Sequence, residues 1–402
     1  MSKPSIFIAH PSDLLTDHLP NGDGLVAFGF INELAERGYR LHIATRGQSL
    51  SKPLPDNVTL HPLPTRSGNE ALGRIEYMFA IRKLLKRLRA AERIDIVHQL
   101  NPVFAGLSLG LLGCNLPIVL GTYVARWPDE HDGKADRSRA RKMMSTAVRS
   151  VVEGLQQLHA DALLLTTPAA RNRLALPSLV EKKIHLIRHG IDAKLFSPAA
   201  DFPRRLADEQ DLSILFYAHV DYRKGVFVLL EAFKIVARTI PNSRMTIVGR
   251  GDHMEEFKAK VAASGLGDRI EIKGRLDRGD APSLMRDHSV YCLPSFGEPY
   301  GSTAVEAMSC GMPVVSSNDG GLGHIVPPGG GYKVPPGDPA ALAEALCKVL
   351  SSATDRVGMG RINRLHIERH ATWERVVDEL EKVYRSVVSQ PLAVDQDSRA
   401  VG

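Results

Sequence analysis

The run Pro294-Ser-Phe-Gly-Glu298-Pro-Tyr-Gly-Ser-Thr-Ala-Val-Glu306-Ala-Met-Ser-Cys-Gly-Met-Pro-Val-Val315 decides the fold. An apolar segment, Val290 to Pro294, gives way to a glycine-containing loop. A short helical pattern follows, then a second apolar segment from Pro313 to Val315. Strand, loop, helix and strand in that order read as part of a parallel βαβ unit. Ser302 is suited to cap the helix and Gly311 to end it, which predicts a helix over roughly Thr303–Cys310. Glu298 then lies in the loop and Glu306 one turn into the helix.

The free amides of the first turn, at Ser302, Thr303 and Ala304, fall between the two carboxylates. Gly301 lets the backbone come close to a ligand. A helix N-terminus favours a phosphate. Glu306 can accept hydrogen bonds from a ribose diol, and Glu298 from sugar hydroxyls. A phosphate flanked by polyols describes a nucleotide-sugar. The spacing alone also fits a solvated loop glutamate and a helix-surface glutamate.

Outward from this run, short apolar segments alternate with helical patterns along the chain. In the first half the predicted strands are Ile6–His10, Arg40–Thr45, Val58–Pro62, Ile96–Gln99, Ile118–Thr122, Ala162–Thr166 and Ile184–Arg188. Helical patterns cover Leu25–Arg37, Arg74–Arg93 and Arg137–His159. In the second half the strands are Ser213–Tyr217, Met245–Val248, Ile270–Lys273, Val290–Leu293 and Pro313–Ser316, with helices near Gly225–Arg238, Met254–Ala263, Ser283–Asp287 and Pro339–Leu350. The alternation occurs twice, with the polar stretch Ala199–Asp211 between. This predicts an α/β protein of two doubly wound, Rossmann-like domains, residues 1–198 and 199–372, facing across a cleft. A last helical pattern, Trp373 to Val388, is expected to pack back on the first domain. The final dozen residues lack periodicity.

The length suits two such domains, and the composition is that of a globular protein. No charged-then-apolar leader opens the chain. The apolar run from Phe104 to Leu120 is divided by Asn115 and Pro117 into a helix and a strand, each too short to span a bilayer. Cys114, Cys292, Cys310 and Cys347 lack metal-ligand spacing and read as reduced thiols, so a cytoplasmic location and metal-independent chemistry are expected. Residues 1–190 hold 25 Lys/Arg against 17 Asp/Glu, and the remainder 26 against 28. The whole positive charge therefore belongs to the first half, which should meet something anionic. No aromatic residues interleave the basic ones, which argues against nucleic acid.

Basic residues Arg82, Lys86, Arg89 and Arg93 form a stripe on the helix over Arg74–Arg93, opposite Met78, Ile81, Leu84, Leu85 and Leu88. The stripe is either a solvated face or a docking surface for an anionic membrane, which would place the protein peripherally at the inner face.

Residues 290–337 resemble the signature region of the retaining glycosyltransferases of family 4, also called group 1, which have the GT-B fold. Glu298 and Glu306 match the family's E-x7-E motif. Gly311-Met-Pro-Val-Val315, Asp319-Gly-Gly-Leu322, Val334-Pro-Pro-Gly-Asp338 and Arg188-His-Gly-Ile-Asp-Ala-Lys-Leu-Phe-Ser-Pro198 also look like the family pattern. The resemblance covers the second half and is weaker in the first. It implies transfer of a sugar, with retention, from a nucleoside diphosphate sugar to an acceptor hydroxyl on a glycan, a lipid-linked molecule or a small molecule. No cofactor is implied; the nucleotide-sugar is a substrate. Glu298 would clamp the donor sugar and Glu306 the ribose, with Gly297, Tyr300, Gly301, Ser302 and Thr303 completing the donor loop. Pro299 stands where the family commonly has glycine.

In Phe216-Tyr-Ala-His219-Val-Asp-Tyr-Arg223-Lys224-Gly225 the resemblance makes Lys224 the pyrophosphate lysine. His219 occupies the position of the usual arginine and offers fewer donors, so Arg223 is the other candidate. Gly22 and Gly24, in Asn21-Gly-Asp-Gly24, resemble the family's N-terminal glycine loop, whose amides approach the donor phosphates. Gly249, in a tight strand exit, is read with them as a cleft-lining donor residue. Tyr123 falls near the position of a frequent family histidine, and with Arg126 and Trp127 it is a candidate for acceptor or donor-sugar recognition. His10 and His189 end strands on the cleft side. A nucleotide-sugar epimerase of the same fold, and a nucleotide-sugar-binding module without turnover, are the alternatives.

Overall fold

The computed structural model describes residues 3–389 except 13, 20, 66, 68–69, 103–105, 128–138 and 211. In the first half the chain runs through β1 (Ser5–His10), β2 (Leu15–Thr16), α1 (Gly22–Glu36), β3 (Arg40–Thr45), β4 (Gln48–Ser49), β5 (Val58–Pro62), α2 (Glu70–Ala91), β6 (Ile96–Gln99), β7 (Ile118–Tyr123), α3 (Arg139–His159), β8 (Ala162–Leu165) and β9 (Ile184–Leu186). Seven of these strands form one parallel sheet in the order β5-β3-β1-β6-β7-β8-β9, with β2 and β4 paired separately.

The second half contributes α4 (Phe202–Leu206), β10 (Leu212–Tyr217), α5 (Val226–Thr239), β11 (Ser243–Val248), α6 (Met254–Ala263), β12 (Ile270–Lys273), α7 (Ala281–Arg286), β13 (Val290–Leu293), α8 (Ser302–Ser309), β14 (Val314–Ser317), β15 (Gly331–Val334), α9 (Pro339–Ser351), α10 (Ala353–His370) and α11 (Trp373–Val388). Its six parallel strands lie in the order β12-β11-β10-β13-β14-β15. The strands of both sheets are apolar runs because helices cover both faces.

Each sheet reverses its strand order beside its first strand. β1 lies between β3 and β6, and β10 between β11 and β13. Crevices form beyond the carboxyl ends of strands at such switch points. His10 and Gln99 end the strands at the first crevice, and Tyr217 and Leu293 at the second.

The last helix belongs to the first domain's core. Val376, Val377, Leu380, Val383, Tyr384 and Val387 are buried with Ile6, Ile8, Phe30 and Leu34. Burying each large apolar side chain stabilises the fold by about 1.5–3 kcal/mol. Trp373, at the start of α11, packs edge-on against Phe30 at 5.0 Å. A Cβ on Gly29 or Gly190 would lie 1.9 Å or 2.4 Å from its indole, so both positions need glycine. The chain crosses between domains beside this ring, where the Ile191 amide donates to the Ala371 carbonyl at 2.8 Å.

α2 begins earlier than the apolar spacing predicts and buries Tyr77, Ile81, Leu84, Leu85 and Leu88. Its outer face carries Leu72, Ile75 and Phe79, all exposed, ahead of the basic stripe. The outer apolar residues escaped the sequence reading because a helix hydrophobic on two faces has no clean periodicity. Among the described residues no helix is long and apolar enough to cross a membrane. The final dozen residues lie outside the described residues, as does the start of the helix predicted from Arg137.

Candidate functional site

The helix α8 starts one residue earlier than predicted. Gly301, with φ 89°, caps it, and Ser302 is its first residue. A left-handed cap is open to glycine at little cost, so the serine side chain is not needed there. The first turn presents Ser302, exposed, and Thr303, whose hydroxyl shares a 2.6 Å hydrogen bond with the Tyr291 hydroxyl.

Both carboxylates are buried, and each holds a cation. Lys224 Nζ donates to Glu298 Oε2 at 2.6 Å. Arg278 Nη1 donates to Glu306 Oε1 at 2.8 Å. Burial raises the Glu306 pKa, and the Arg278 charge opposes that rise. A buried carboxylate without such a partner would be costly, so each glutamate needs either its cation or a ligand's donors.

The loop that carries Glu298 is clamped from below by Asp319-Gly-Gly-Leu322. The Gly321 amide donates to the Glu298 carbonyl at 2.7 Å. A Cβ on Gly320 would lie 2.5 Å from that carbonyl, and one on Gly321 would lie 2.1 Å from the Pro299 carbonyl. The two glycines are therefore packing requirements of the Glu298 loop. Gly225 has the same reason: its Cβ would lie 2.0 Å from the Pro294 carbonyl. Gly249, taken from sequence as cleft-lining, is instead pressed on β10's exit, where a Cβ would lie 1.9 Å from the Ala218 carbonyl. Gly297 takes φ 64°, which turns the loop toward Glu298.

Lys224 is positioned through its backbone. Its amide donates to Asp221 Oδ1 at 2.8 Å, and Asp221 Oδ2 also lies 3.5 Å from Arg223 Nη2. Trp127 of the first domain covers both cations, with Lys224 Nζ 4.9 Å and Arg223 Cζ 5.0 Å from its ring centre. Arg223 and Lys224 thus converge at the cleft. His219 is exposed at the head of the same loop.

From the first domain, α1 points its N-terminus toward the cleft. Asn21 Oδ1 accepts from the Gly24 amide at 2.9 Å and caps it. Gly24 is needed for packing, since a Cβ would lie 2.3 Å from the Leu14 carbonyl, whereas nothing crowds Gly22. Gly22 lines a cleft of about 650 Å³ together with Arg278, Ser302 and Glu306.

Two sequence expectations are corrected. Tyr123 is buried in an apolar cluster with Leu120, Leu163 and Leu165, so it packs the core and does not face an acceptor. Tyr300 lines the cleft but is itself buried, and its hydroxyl donates to the His189 carbonyl at 3.0 Å. It joins the domains, with its ring 4.5 Å from His189, and its hydroxyl is not left for a donor. Arg126 lies 3.7 Å from Glu153 and its amide donates to Asn172, which fixes the approach to Trp127.

His10 and His189 stand at a small nook at the end of the first sheet, with Asp23, Asn101 and Thr122. Burial lowers the His10 pKa to about 4 and the His189 pKa to about 3, so both are neutral at ordinary pH. His189 Nε2 shares a 2.7 Å hydrogen bond with Thr122 Oγ1, while His189 Nδ1 and His10 Nε2 have no partner.

With this geometry in view, two family models divide the chain between them. Residues 199–366 match glycosyl transferases group 1, and residues 20–195 match glycosyltransferase family 4. The chain belongs to the group 1 glycosyltransferases. It is 28% identical over 296 residues to a glycogen synthase of Mycobacterium tuberculosis, covering 73% of this chain and 69% of that protein. Its fold matches sucrose-phosphate synthase from Thermosynechococcus elongatus with a TM-score of 0.73 at 23% identity, over 95% of this chain and 98% of that one. It also matches Anabaena HepE in complex with UDP-glucose, with a TM-score of 0.69 at 16% identity, over 96% and 100% of the two chains.

Sequence reasoning about this glycosyltransferase missed Arg278 and Asp221. Arg278 lies in the loop before α7, far in sequence from Glu306 and without a motif to mark it. Asp221 sits within the Lys224 loop, and its spacing of three residues from Lys224 was a readable turn signal.

Proposed function

We propose that this glycosyltransferase transfers a sugar with retention from a nucleoside diphosphate sugar to an acceptor hydroxyl. The observation that carries the reading is the Lys224–Glu298 pair at 2.6 Å beside the start of α8. In the bound state the donor diphosphate takes over Lys224 and the amides of Ser302 and Thr303, with Arg223 as the second cation. Glu298, released from Lys224, accepts hydrogen bonds from the sugar hydroxyls. Glu306 exchanges Arg278 for the ribose diol. Charge that develops on the departing diphosphate meets cations and amides already in place, and such preorganised stabilisation is commonly the largest catalytic contribution. Front-face attack, with the departing phosphate taking the acceptor proton, requires no protein nucleophile. The UDP-glucose complex of HepE, a protein of the same fold, supports a nucleotide-sugar donor.

The acceptor belongs to the first domain, with its excess of basic residues. The exposed Leu72, Ile75 and Phe79 ahead of the α2 basic stripe support contact of this domain with an anionic lipid surface.

A thermal-shift screen of nucleoside diphosphates and their sugars tests the donor reading, since a ligand of the native state raises apparent stability. One diphosphate series should stabilise the protein. Lys224→Ala should weaken that diphosphate roughly 10–100-fold, as expected for loss of a charge-assisted contact. Unchanged affinity in Lys224→Ala would remove Lys224 from the site. Epimer formation from a donor alone would replace transfer with epimerisation.

A further inference from the structure

A second cleft, of about 680 Å³, opens at the domain joint. It contains none of Lys224, Glu298, Ser302 or Glu306, and meets the Glu306 cleft at Arg375 and Asp378 of α11. One wall comes from the first domain, with Thr167 and Arg188. The other comes from the second domain, with His324, Arg369 and His370. The side of α11 closes it.

The charges in this cleft do not balance. Each α11 carboxylate that lines the cleft already has a cation: Asp378 lies 2.8 Å from Arg37, Glu379 2.6 Å from Lys382, and Glu381 3.1 Å from Lys3. Arg188 is half-buried and Arg369 exposed, and among the described residues neither has an ion pair or a hydrogen bond. Thr167 is 3% exposed, and its hydroxyl has no partner. Nearby His366 has its pKa lowered to about 4, first by burial and then by the Arg188 and His370 charges. The cleft therefore has an uncompensated positive potential, a buried hydroxyl without a partner, and room for a small molecule.

We propose that this cleft binds a small phosphorylated metabolite, with the phosphate on Arg188 and Arg369. Guanidinium forks match phosphate oxygens, and a phosphate carries the charge that the cleft lacks. Thr167 is the remaining donor. The walls come from both domains, so occupancy favours one domain opening and is coupled by linkage to the donor cleft. This inference does not rest on the identity of the donor.

The test is calorimetry of the full chain with inorganic phosphate and with fructose 6-phosphate, at constant ionic strength with chloride as control. Fructose 6-phosphate should bind the unmodified chain and Lys224→Ala alike. Arg188→Met with Arg369→Met should bind it at least about tenfold more weakly, as expected for two lost charge-assisted contacts. Arg369→Met alone, at an exposed position that folding does not need, should weaken it severalfold. Circular dichroism and the unliganded melting temperature report whether the double variant is folded. If inorganic phosphate binds as tightly as the ester, the site recognises the phosphate alone. Loss of binding in Lys224→Ala would place the anion in the donor cleft and overturn the proposal. So would equal affinity in both arginine variants, or no binding of either probe.

Discussion

The two domains share a sheet topology and differ in what they hold at the carboxyl ends of their strands. The second domain holds full charges that are already paired, Lys224 with Glu298 and Arg278 with Glu306. The first holds neutral side chains with unmet hydrogen bonds: His10 Nε2, His189 Nδ1, and both polar atoms of the buried Gln99. Paired charges keep a site stable while it is empty, because each ion replaces lost hydration with its partner. They can then be exchanged for a charged ligand. Neutral unmet groups fit hydroxyls, which both donate and accept. The contrast separates an ionic crevice in the second domain from a neutral, hydrogen-bonding one in the first.

The largest expected effect breaks the ionic side. Glu298→Ala should lower kcat/KM for transfer by roughly 10–100-fold, from loss of charged hydrogen bonds of about 1.5–3 kcal/mol made to the sugar. Diphosphate affinity should hold or rise, because Lys224 is no longer engaged. Steady-state kinetics beside calorimetry separates the two quantities. A variant that transfers normally would mean that Glu298 serves only as the lysine's counter-ion.

Acid should act on β1 and β6 of the first sheet before β13 and β14 of the second. His10 and His98 are buried, and burial lowers both from the ordinary 6.5 to about 4. The unfolded chain binds these protons between pH 6.5 and 4 and the folded chain does not. Stability is therefore fully present above pH 6.5 and falls as pH drops toward 4, by on the order of 1 kcal/mol per unit for each histidine. The raised Glu306 pKa works in the opposite sense, since the folded state there takes its proton first. Hydrogen exchange at pH 5 and 7.5, corrected for intrinsic rates, should show β1 and β6 losing protection before β13 and β14. The reverse order would refute the contrast.

The smallest effect lies where the two regions meet. Trp127 covers Arg223 and Lys224, and a cation–π contact of this kind is worth about 0.5–1 kcal/mol. Trp127→Ala should uncover both cations, each still beside its carboxylate, and tighten diphosphate binding by about two- to fivefold in calorimetry. Weaker binding would mean that the ring also touches the donor.

Much of the Glu298–Glu306 site was legible because it is local. Glu298, Gly301, Ser302 and Glu306 lie within one loop and helix, so spacing places them together. Lys224 was legible by resemblance to a family motif, but its partner was not. Nothing in the sequence joins residue 224 to 298, or 278 to 306. Tyr123 and Tyr300 were misread for a related reason. A tyrosine at a strand end or in a loop can face a cleft or a core, and packing across the domains decides which.

The sequence by itself determined two parallel-sheet domains, an open helix start after a glycine loop and the two glutamates beside it. These follow from hydrophobic alternation and from turn chemistry, which act over a few residues. Only the tertiary structure decided that each glutamate holds a cation while the site is empty. It also decided that Trp127 covers the lysine and that Arg188 stands uncompensated at the joint. Those outcomes depend on which charges long-range packing brings within a few ångströms, and Coulomb interactions respond to distance in space rather than along the chain.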